Sequence, residues 1–164
     1  MENFTEENIE LYPPESFNIL LDHEVNRSRR YGNPLTLLEL SFETDPNDPQ
    51  NLHSAEVYTM NVLNLRLRET DIPCKKGNEF LVLMPATDER GARIACERLE
   101  KLFNIEPQTY DRVSFKMSAF IGMATLSGDR SISSKELMQN ASQALQYAHT
   151  NRLKNTVIFS DIEH

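Results

Sequence analysis

Carboxylates at alternating positions are the first feature of this sequence that could support chemistry. Glu39, Ser41 and Glu43 stand at every second position of an apolar stretch, so in a strand they would lie on one face. On that face Glu43 could approach a site shared with Glu79, further along the chain. The simpler interpretation, which we favour, is that Glu39 and Glu43 are solvated or ion-paired surface groups, because charged side chains are mostly exposed.

Arg68 and Asp71, with Glu69 and Thr70 between them, form a second candidate site. An arginine fork can bind a phosphate through two parallel hydrogen bonds, and a neighbouring aspartate adds hydrogen-bond acceptors. An arginine near the C-terminus of a helix is also explained by its favourable interaction with the helix dipole, without any ligand. The spacing alone does not decide between a binding site and this structural role.

No other arrangement of reactive side chains indicates an enzyme class. The histidines have no metal-binding spacing such as HxxxH, and the sequence contains neither a P-loop nor a GxGxxG motif. Cys74 and Cys96 are isolated, which is typical of reduced thiols in a cytosolic protein. Any chemistry must therefore come from the carboxylates or from the pair Arg68 and Asp71.

Length and charge limit the class of protein. The chain has 164 residues, of which 39% are hydrophobic and 26% charged, and this suits one domain with its own core. We expect an acidic N-terminal segment over residues 1–12 and a single domain over residues 13–164. The net charge of −8 disfavours nucleic-acid binding, which depends on Lys and Arg. Because no apolar run approaches ~20 residues and the N-terminus lacks a signal-peptide pattern, we expect a cytoplasmic protein without a membrane span.

Apolar periodicity predicts alternating helices and strands. Pro13 and Pro14 suit the start of a first helix, which Gly32 ends. Ser133 and Glu136 form a capping box ahead of a last long helix. The remaining predicted elements are a strand over 35–42, a loop over 45–49, a helix from Ser54, a hairpin of strands 72–74 and 80–84 around a turn at 76–78, a helix over 88–103, and strands over 113–126 and 156–159.

The hairpin decides the fold class. It places neighbouring strands antiparallel, which excludes an all-parallel sheet. We therefore predict an α/β fold: a two-layer sandwich with a mainly antiparallel central sheet and flanking helices. Residues 35–42 are expected in the central strand, because they form an almost uninterrupted apolar run.

The ordered segments resemble the GGDEF family of bacterial diguanylate cyclases. Residues 24–42 look like the family's first helix and strand, and residues 67–71 look like its RxxD motif. Residues 118–124 resemble the later strand, and residues 137–148 the helix with the pattern ADxALYxAK. The resemblance covers nearly the whole chain and implies a nucleotide cyclase palm-like fold with a ferredoxin-like core. The family's signature turn is represented here by Lys76, Gly77, Asn78, Glu79 and Phe80.

The resemblance also implies a chemistry for which this chain lacks key groups. An active member binds GTP, and two domains meet so that each 3′-hydroxyl attacks the other's α-phosphate, with two carboxylates holding Mg²⁺. At the matching positions this chain has the neutral residues Ser41 and Asn78, while Glu79 is retained. We therefore expect no catalytic residues, no metal site and no cofactor. If the chain were active, Mg²⁺ would be bound by Glu43 and Glu79.

Further departures from the family pattern favour a loss of catalysis. The segment that supplies an Asn and an Asp for guanine is shortened here to residues 43–53 and matches nowhere. The lysine expected near the end of the last long helix is His149, although Arg152 and Lys154 lie nearby in the sequence. The N-terminal DxLTGLxNR motif is absent.

Arg68 and Asp71 keep the charges of the family's RxxD inhibitory site, which binds cyclic di-GMP. The arginine can bind a phosphate or a guanine edge, and the aspartate accepts from guanine N–H groups. The resemblance thus predicts an inactive regulatory module in cyclic-dinucleotide signalling, which acts by binding cyclic di-GMP or GTP, by contacting a protein partner, or by self-association. The alternative is a diverged but active diguanylate cyclase that makes cyclic di-GMP from two GTP molecules.

Overall fold

A mainly antiparallel sheet with helices on both faces is formed by the residues that the computed structural model describes, which are 11–104, 108–110, 113–127 and 132–163. Residues 1–10 of the expected acidic segment lie outside these ranges. Within them, no helix combines the length and the apolar character that a membrane span requires. In chain order the elements are α1 (Pro14–Tyr31), β1 (Leu35–Asp45), α2 (Pro49–Arg66), β2 (Ile72–Lys76), β3 (Glu79–Pro85), α3 (Glu89–Phe103), β4 (Gln108–Tyr110), β5 (Val113–Leu126), α4 (Ser134–Thr150), β6 (Val157–Ile158) and α5 (Phe159–Ile162).

The strand β1 lies in the middle of the sheet. The strand order is β2–β3–β1–β5–β4, and β6 pairs with β5. The pairs β1–β3, β1–β5, β2–β3 and β4–β5 are antiparallel, whereas β5–β6 is parallel. The predicted α/β class, the mainly antiparallel sheet and the central position of residues 35–42 are therefore confirmed.

Helix ends follow the local signals in the sequence. Gly32 has a φ of 72° and ends α1, and its N–H donates to the Ser28 carbonyl oxygen. Asp88 caps α3, and Ser133 caps α4 by accepting a hydrogen bond of 3.1 Å from the N–H of Glu136. These caps confirm the predicted starts of both helices.

The start of α2 differs from the prediction. We predicted a loop over residues 45–49 and a helix from Ser54, but α2 begins at Pro49. The carboxylate of Asp48 accepts a hydrogen bond of 2.8 Å from the N–H of Asn51, and a proline fits the first helical turn. Asp48 and Pro49 are thus a cap and a first helical residue, and the prediction of a loop through residue 49 is wrong.

Two short elements were not predicted. The strand β4 pairs with the start of β5, and α5 follows β6 directly. Because Phe159 already belongs to α5, the last strand is only Val157–Ile158, shorter than the predicted 156–159.

Helices cover both faces of the sheet. Leu35 and Leu37 of β1 are buried in one cluster with residues of α1 and α4. Leu38 and Leu40, on the opposite face, are buried in a second cluster with residues of α2 and α3. The flanking helices therefore add a layer to the two-layer sandwich expected from the sequence.

The backbone of β5 touches α4 at Gly122. A Cβ atom at this position would lie 2.2 Å from the Leu145 nitrogen and 2.5 Å from the Ala141 oxygen. A glycine inside a strand commonly marks such a close backbone approach. This approach places α4 directly above β5 and β1, on the face that carries Glu39.

Candidate functional site

The signature turn closes the β2–β3 hairpin. Lys76 and Glu79 face each other as the last strand pair, and Gly77 with Asn78 forms the exposed turn between them. Gly77 has a φ of 61°, a conformation that glycine adopts without steric cost. Phe80 is fully buried and stacks with Phe42, with ring centroids 6.3 Å apart, so it anchors the hairpin to the core.

Ser41 and Asn78, which the resemblance places at the family's metal-binding positions, both lie at this end of the sheet. Leu40 of β1 pairs with Phe80 of β3. Ser41 and Glu79 are the next residues of these two strands on the side of the hairpin turn. Ser41 offers a hydroxyl and Asn78 an amide. Neither carries the negative charge that a hard cation such as Mg²⁺ prefers in its ligands.

Glu79 forms a carboxyl pair with Glu39, whereas the partner that we considered was Glu43. The side chain of Glu39 is hydrogen-bonded to that of Glu79, and Glu39 is only 8% exposed. Burial, followed by the contact with Glu79, raises the pKa of Glu39 to about 8. The interpretation of Glu39 as a solvated surface group is therefore wrong, and Glu39 takes the place beside Glu79 that we had considered for Glu43.

Glu43 instead pairs with an imidazole and a guanidinium at the end of α4. Its Oε1 accepts a hydrogen bond of 2.8 Å from His149 Nε2, and its Oε2 lies 2.8 Å from a guanidinium nitrogen of Arg152. Arg152, and next His149, hold the pKa of Glu43 below its usual range. The interpretation of Glu43 as an ion-paired carboxylate is confirmed.

These donors do not fit a pair of Mg²⁺ ions. A hydrogen bond between two carboxyl groups requires a proton, so Glu39 and Glu79 together carry one charge where a metal pair needs more. Glu43 is engaged with His149 and Arg152. In the part of the chain that the structure describes, no three His, Cys, Asp or Glu side chains are grouped so as to hold a metal ion.

The segment between β1 and α2 is held by hydrogen bonds of Asn51, which lies in the first turn of α2. The side chain of Asn51 is buried and donates a hydrogen bond of 2.9 Å to the carbonyl oxygen of Pro46. Its N–H donates to the Asp48 carboxylate. These two hydrogen bonds of Asn51 thus hold the entry to α2 together.

Arg68 and Asp71 form a closed turn after α2. The Asp71 carboxylate accepts hydrogen bonds from the backbone N–H of Arg68 at 3.0 Å and from its guanidinium at 3.4 Å. The guanidinium also donates to the hydroxyl of Thr87. The Asp71 side chain is 3% exposed, whereas that of Arg68 is 60% exposed. Asp71 therefore fixes the turn, and Arg68 presents the accessible charge.

A cavity of about 190 Å³ lies beside this turn, between the end of α2 and the start of α3. Arg66, Arg68 and Arg98 contribute cationic side chains to its lining, and Ile94 contributes an exposed apolar one. Arg98 carries no signal in the sequence because it is an ordinary exposed position on α3, and it is identified only by its place in the cavity lining. This arrangement can bind an anionic ligand that also has an apolar face.

Both cysteines are buried. Burial raises the pKa of Cys74 to about 11 and that of Cys96 to about 12, so both remain protonated thiols near neutral pH. Neither belongs to the carboxyl pair or to the cavity beside Arg68.

Comparison with known protein families identifies the family of this chain. Residues 58–155 match the family described as diguanylate cyclase, GGDEF domain. No curated protein matches the chain in sequence.

Solved structures share the fold. The diguanylate cyclase SiaD of Pseudomonas aeruginosa, solved in complex with its activator SiaC, is 20% identical with a TM-score of 0.80, over 94% of this chain and 61% of SiaD. The GGDEF domain of DgcB from Caulobacter crescentus, in complex with c-di-GMP, is 15% identical with a TM-score of 0.75, over 98% of each chain. The active GGEEF domain of a Vibrio cholerae diguanylate cyclase is 16% identical with a TM-score of 0.76, over 92% of this chain and 98% of the other. Because the family match spans more than half of the sequence and the fold agrees, this chain belongs to the GGDEF domain family.

Proposed function

We propose that this chain is a catalytically inactive GGDEF module of the cytoplasm, which acts in cyclic-dinucleotide signalling by binding a nucleotide or a protein partner. The observation that carries the proposal is the state of the catalytic face. Ser41 and Asn78 are neutral, and Glu79 is hydrogen-bonded to a buried glutamic acid. This face supplies too little negative charge to hold Mg²⁺ against the phosphates of GTP.

The Arg68 turn supports a binding function. Its guanidinium is exposed at the edge of a cavity that Arg66 and Arg98 also line. Cyclic di-GMP carries two phosphates and two flat bases, which suit arginine forks and the neighbouring apolar surface. We assign direct contact with this ligand to Arg68. Asp71, which is buried, positions Arg68 through the two hydrogen bonds that it accepts from it.

The turnover assay tests the proposal of inactivity. Purified protein is incubated with GTP and either Mg²⁺ or Mn²⁺, and cyclic di-GMP is measured by chromatography. We expect no product from wild type. Product that disappears in Glu79→Ala would overturn the proposal and favour the alternative, a diverged cyclase that uses Mg²⁺. A wild type that neither forms product nor binds cyclic di-GMP or GTP would favour a module that acts through protein contacts.

A further inference from the structure

Thr87, which follows β3, connects three parts of the chain. Its hydroxyl accepts a hydrogen bond from the guanidinium of Arg68 and donates one of 2.9 Å to the carbonyl oxygen of Pro85. Its own carbonyl oxygen accepts a hydrogen bond of 2.8 Å from the hydroxyl of Thr36 in β1. Thr87 and Thr36 are both buried, so this junction belongs to the packed part of the fold.

The single proton of the Thr87 hydroxyl gives the contact with Arg68 a direction. A hydroxyl has one hydrogen and two lone pairs, and Thr87 donates its hydrogen to Pro85. The oxygen can therefore only accept from Arg68. Because a guanidinium has N–H donors and no acceptor, a hydroxyl oxygen that is committed to accepting suits it.

The backbone beside Thr87 is determined by the sheet. Ala86 has a φ of 51°, a strained conformation for a residue other than glycine, which persists only where the surrounding structure determines it. Hydrogen bonds to the carbonyl oxygens of Pro85 and Thr87 lie on either side of Ala86 in the chain. The position of the Thr87 hydroxyl is thus set from the side of the sheet, and the guanidinium of Arg68 follows it.

Arg68 would have considerable freedom without this contact. Its side chain is 60% exposed and lines two cavities, the one of about 190 Å³ described above and a second of about 240 Å³, which Arg27 and Thr70 also line. The hydrogen bond from its guanidinium to Asp71 is 3.4 Å long, beyond the usual range of about 2.7–3.2 Å. An arginine that is already fixed loses less side-chain freedom when a ligand binds.

We propose that Thr87 is a positioning residue, whose hydroxyl fixes the guanidinium of Arg68 before an anionic ligand arrives. Thr87 lines neither cavity, so it acts through Arg68 and not on the ligand. The inference rests on the proposed function, because it takes Arg68 as the residue that contacts the ligand. The fixing of Arg68, however, exists in the ligand-free protein and can be measured there.

The rate at which phenylglyoxal modifies Arg68 in the ligand-free protein, followed by peptide mass spectrometry, tests the fixing directly. Thr87→Val keeps the shape of the side chain but has no hydroxyl, and we expect Arg68 to react about threefold to tenfold faster than in wild type. Thr87→Ser keeps the hydroxyl and should restore the wild-type rate. Thr59→Val is the matched control, because it removes another buried hydroxyl, which is bonded to Ala55 within α2. It should leave the rate unchanged, and the exposed Arg93 serves as the reference in every variant.

A calorimetric titration with cyclic di-GMP, at one fixed salt concentration, tests the consequence for binding. We expect Thr87→Val to bind about threefold to tenfold more weakly than wild type, because the arginine fork must then be ordered on binding. Thr87→Ser should bind like wild type. In an Arg68→Ala background, Thr87→Val should cause no further loss.

Three results would overturn the proposal. Equal Arg68 modification rates in wild type and Thr87→Val would mean that the hydroxyl does not fix the guanidinium, whether or not cyclic di-GMP binds. A Thr87→Ser variant that behaves like Thr87→Val would show that the hydroxyl is not the cause. A further loss of affinity in the Arg68→Ala background would show that Thr87 acts by another route.

Failure of the proposed function gives a different result. A wild type that binds no cyclic di-GMP, together with faster Arg68 modification in Thr87→Val, would refute cyclic di-GMP recognition and support Thr87 as the residue that positions Arg68. Thermal unfolding checks that each variant is folded. Thr87→Ala, which also lacks the hydroxyl, replaces Thr87→Val in the same series if that variant is unfolded.

Discussion

At the scale of single residues, the sheet face that carries Glu39, Ser41 and Glu43 is distinguished by the partners of its carboxyl groups. Glu39 is buried beside Glu79. A negative charge on Glu39 would lose its contact with water and would repel the charge of Glu79, so the protonated form of Glu39 is favoured. Glu43, near the end of the same strand, is hydrogen-bonded to an imidazole and paired with a guanidinium. A face with three glutamates therefore offers little free negative charge.

The raised pKa of Glu39 makes the stability of the fold depend on pH. The folded protein keeps a proton on Glu39 up to about pH 8, while the unfolded chain releases it near the usual value of 4.5. Stability from this group is therefore full below about pH 4.5 and is lost as the pH rises through 8. Glu39→Gln mimics the protonated acid. We expect the free energy of unfolding of wild type to fall by at least about 1 kcal/mol more than that of Glu39→Gln between pH 5 and pH 8.

Urea unfolding at a series of pH values measures this difference. Glu97→Gln, which removes an exposed carboxylate on α3, is the control and should follow the wild-type curve. Parallel curves for wild type and Glu39→Gln would contradict the buried carboxyl pair.

The sequence revealed the chemical types at the site but not its contacts. Ser41 and Asn78 can be identified as neutral replacements from motif positions alone. In contrast, Glu43 and His149 are separated by 106 residues, so their contact depends on where α4 ends relative to β1. Glu39 was expected at the surface because glutamate usually is, but in the fold it is buried beside Glu79.

At the scale of elements, the contact between α4 and β5 positions the end of α4 over β1. Gly122 allows the helix backbone to touch the strand, and any side chain there would meet backbone atoms that cannot move aside. We expect Gly122→Ala to lower the free energy of unfolding by about 1–3 kcal/mol or more. Denaturant unfolding followed by circular dichroism measures the change.

Gly91→Ala is the matched control for this substitution. Gly91 lies in the first turn of α3, and a Cβ atom there meets its nearest neighbours at 3.4 Å. Because alanine favours a helix by up to about 1 kcal/mol over glycine, we expect no loss of stability. Equal destabilisation by both substitutions would contradict the close approach of α4 and β5.

Most elements were predictable because their signals are local. Gly32, Asp88 and Ser133 end or cap helices through their own neighbours, and the two-residue hairpin turn needs only Gly77. The start of α2 was missed because Asp48 and Pro49 are equally typical of loops and of helix starts. The helical layer on each face was not predictable in the same way, since it depends on how the elements pack.

At the scale of the whole molecule, the two ends of the sheet carry different chemistry. The end with the signature turn holds the glutamates, while the opposite end, where β1 and β2 begin, holds the Arg68 turn and the arginine-lined cavity. The fold is that of the GGDEF family, but a fold does not determine function. In this chain arginines line a cavity at one end, and at the other end the glutamates are paired with each other or with His149 and Arg152.

Recognition of a cyclic dinucleotide without its synthesis is tested most directly by a calorimetric titration with cyclic di-GMP. Wild type is compared with Arg68→Ala, with Arg68→Lys, and with Arg93→Ala, which removes an exposed arginine of α3 that pairs with Glu89. The titrations share one salt concentration, because exposed charges are screened by salt.

We expect wild type and Arg93→Ala to bind alike. Arg68→Ala should lose about 1.5–3 kcal/mol, which is roughly a tenfold to hundredfold loss of affinity, since it removes a charge-assisted contact. Arg68→Lys should also bind more weakly, because an ammonium cannot reproduce the fork. Tight binding that survives Arg68→Ala would contradict the assignment of the site to Arg68. No binding by wild type would contradict nucleotide recognition and favour a module that acts through protein contacts.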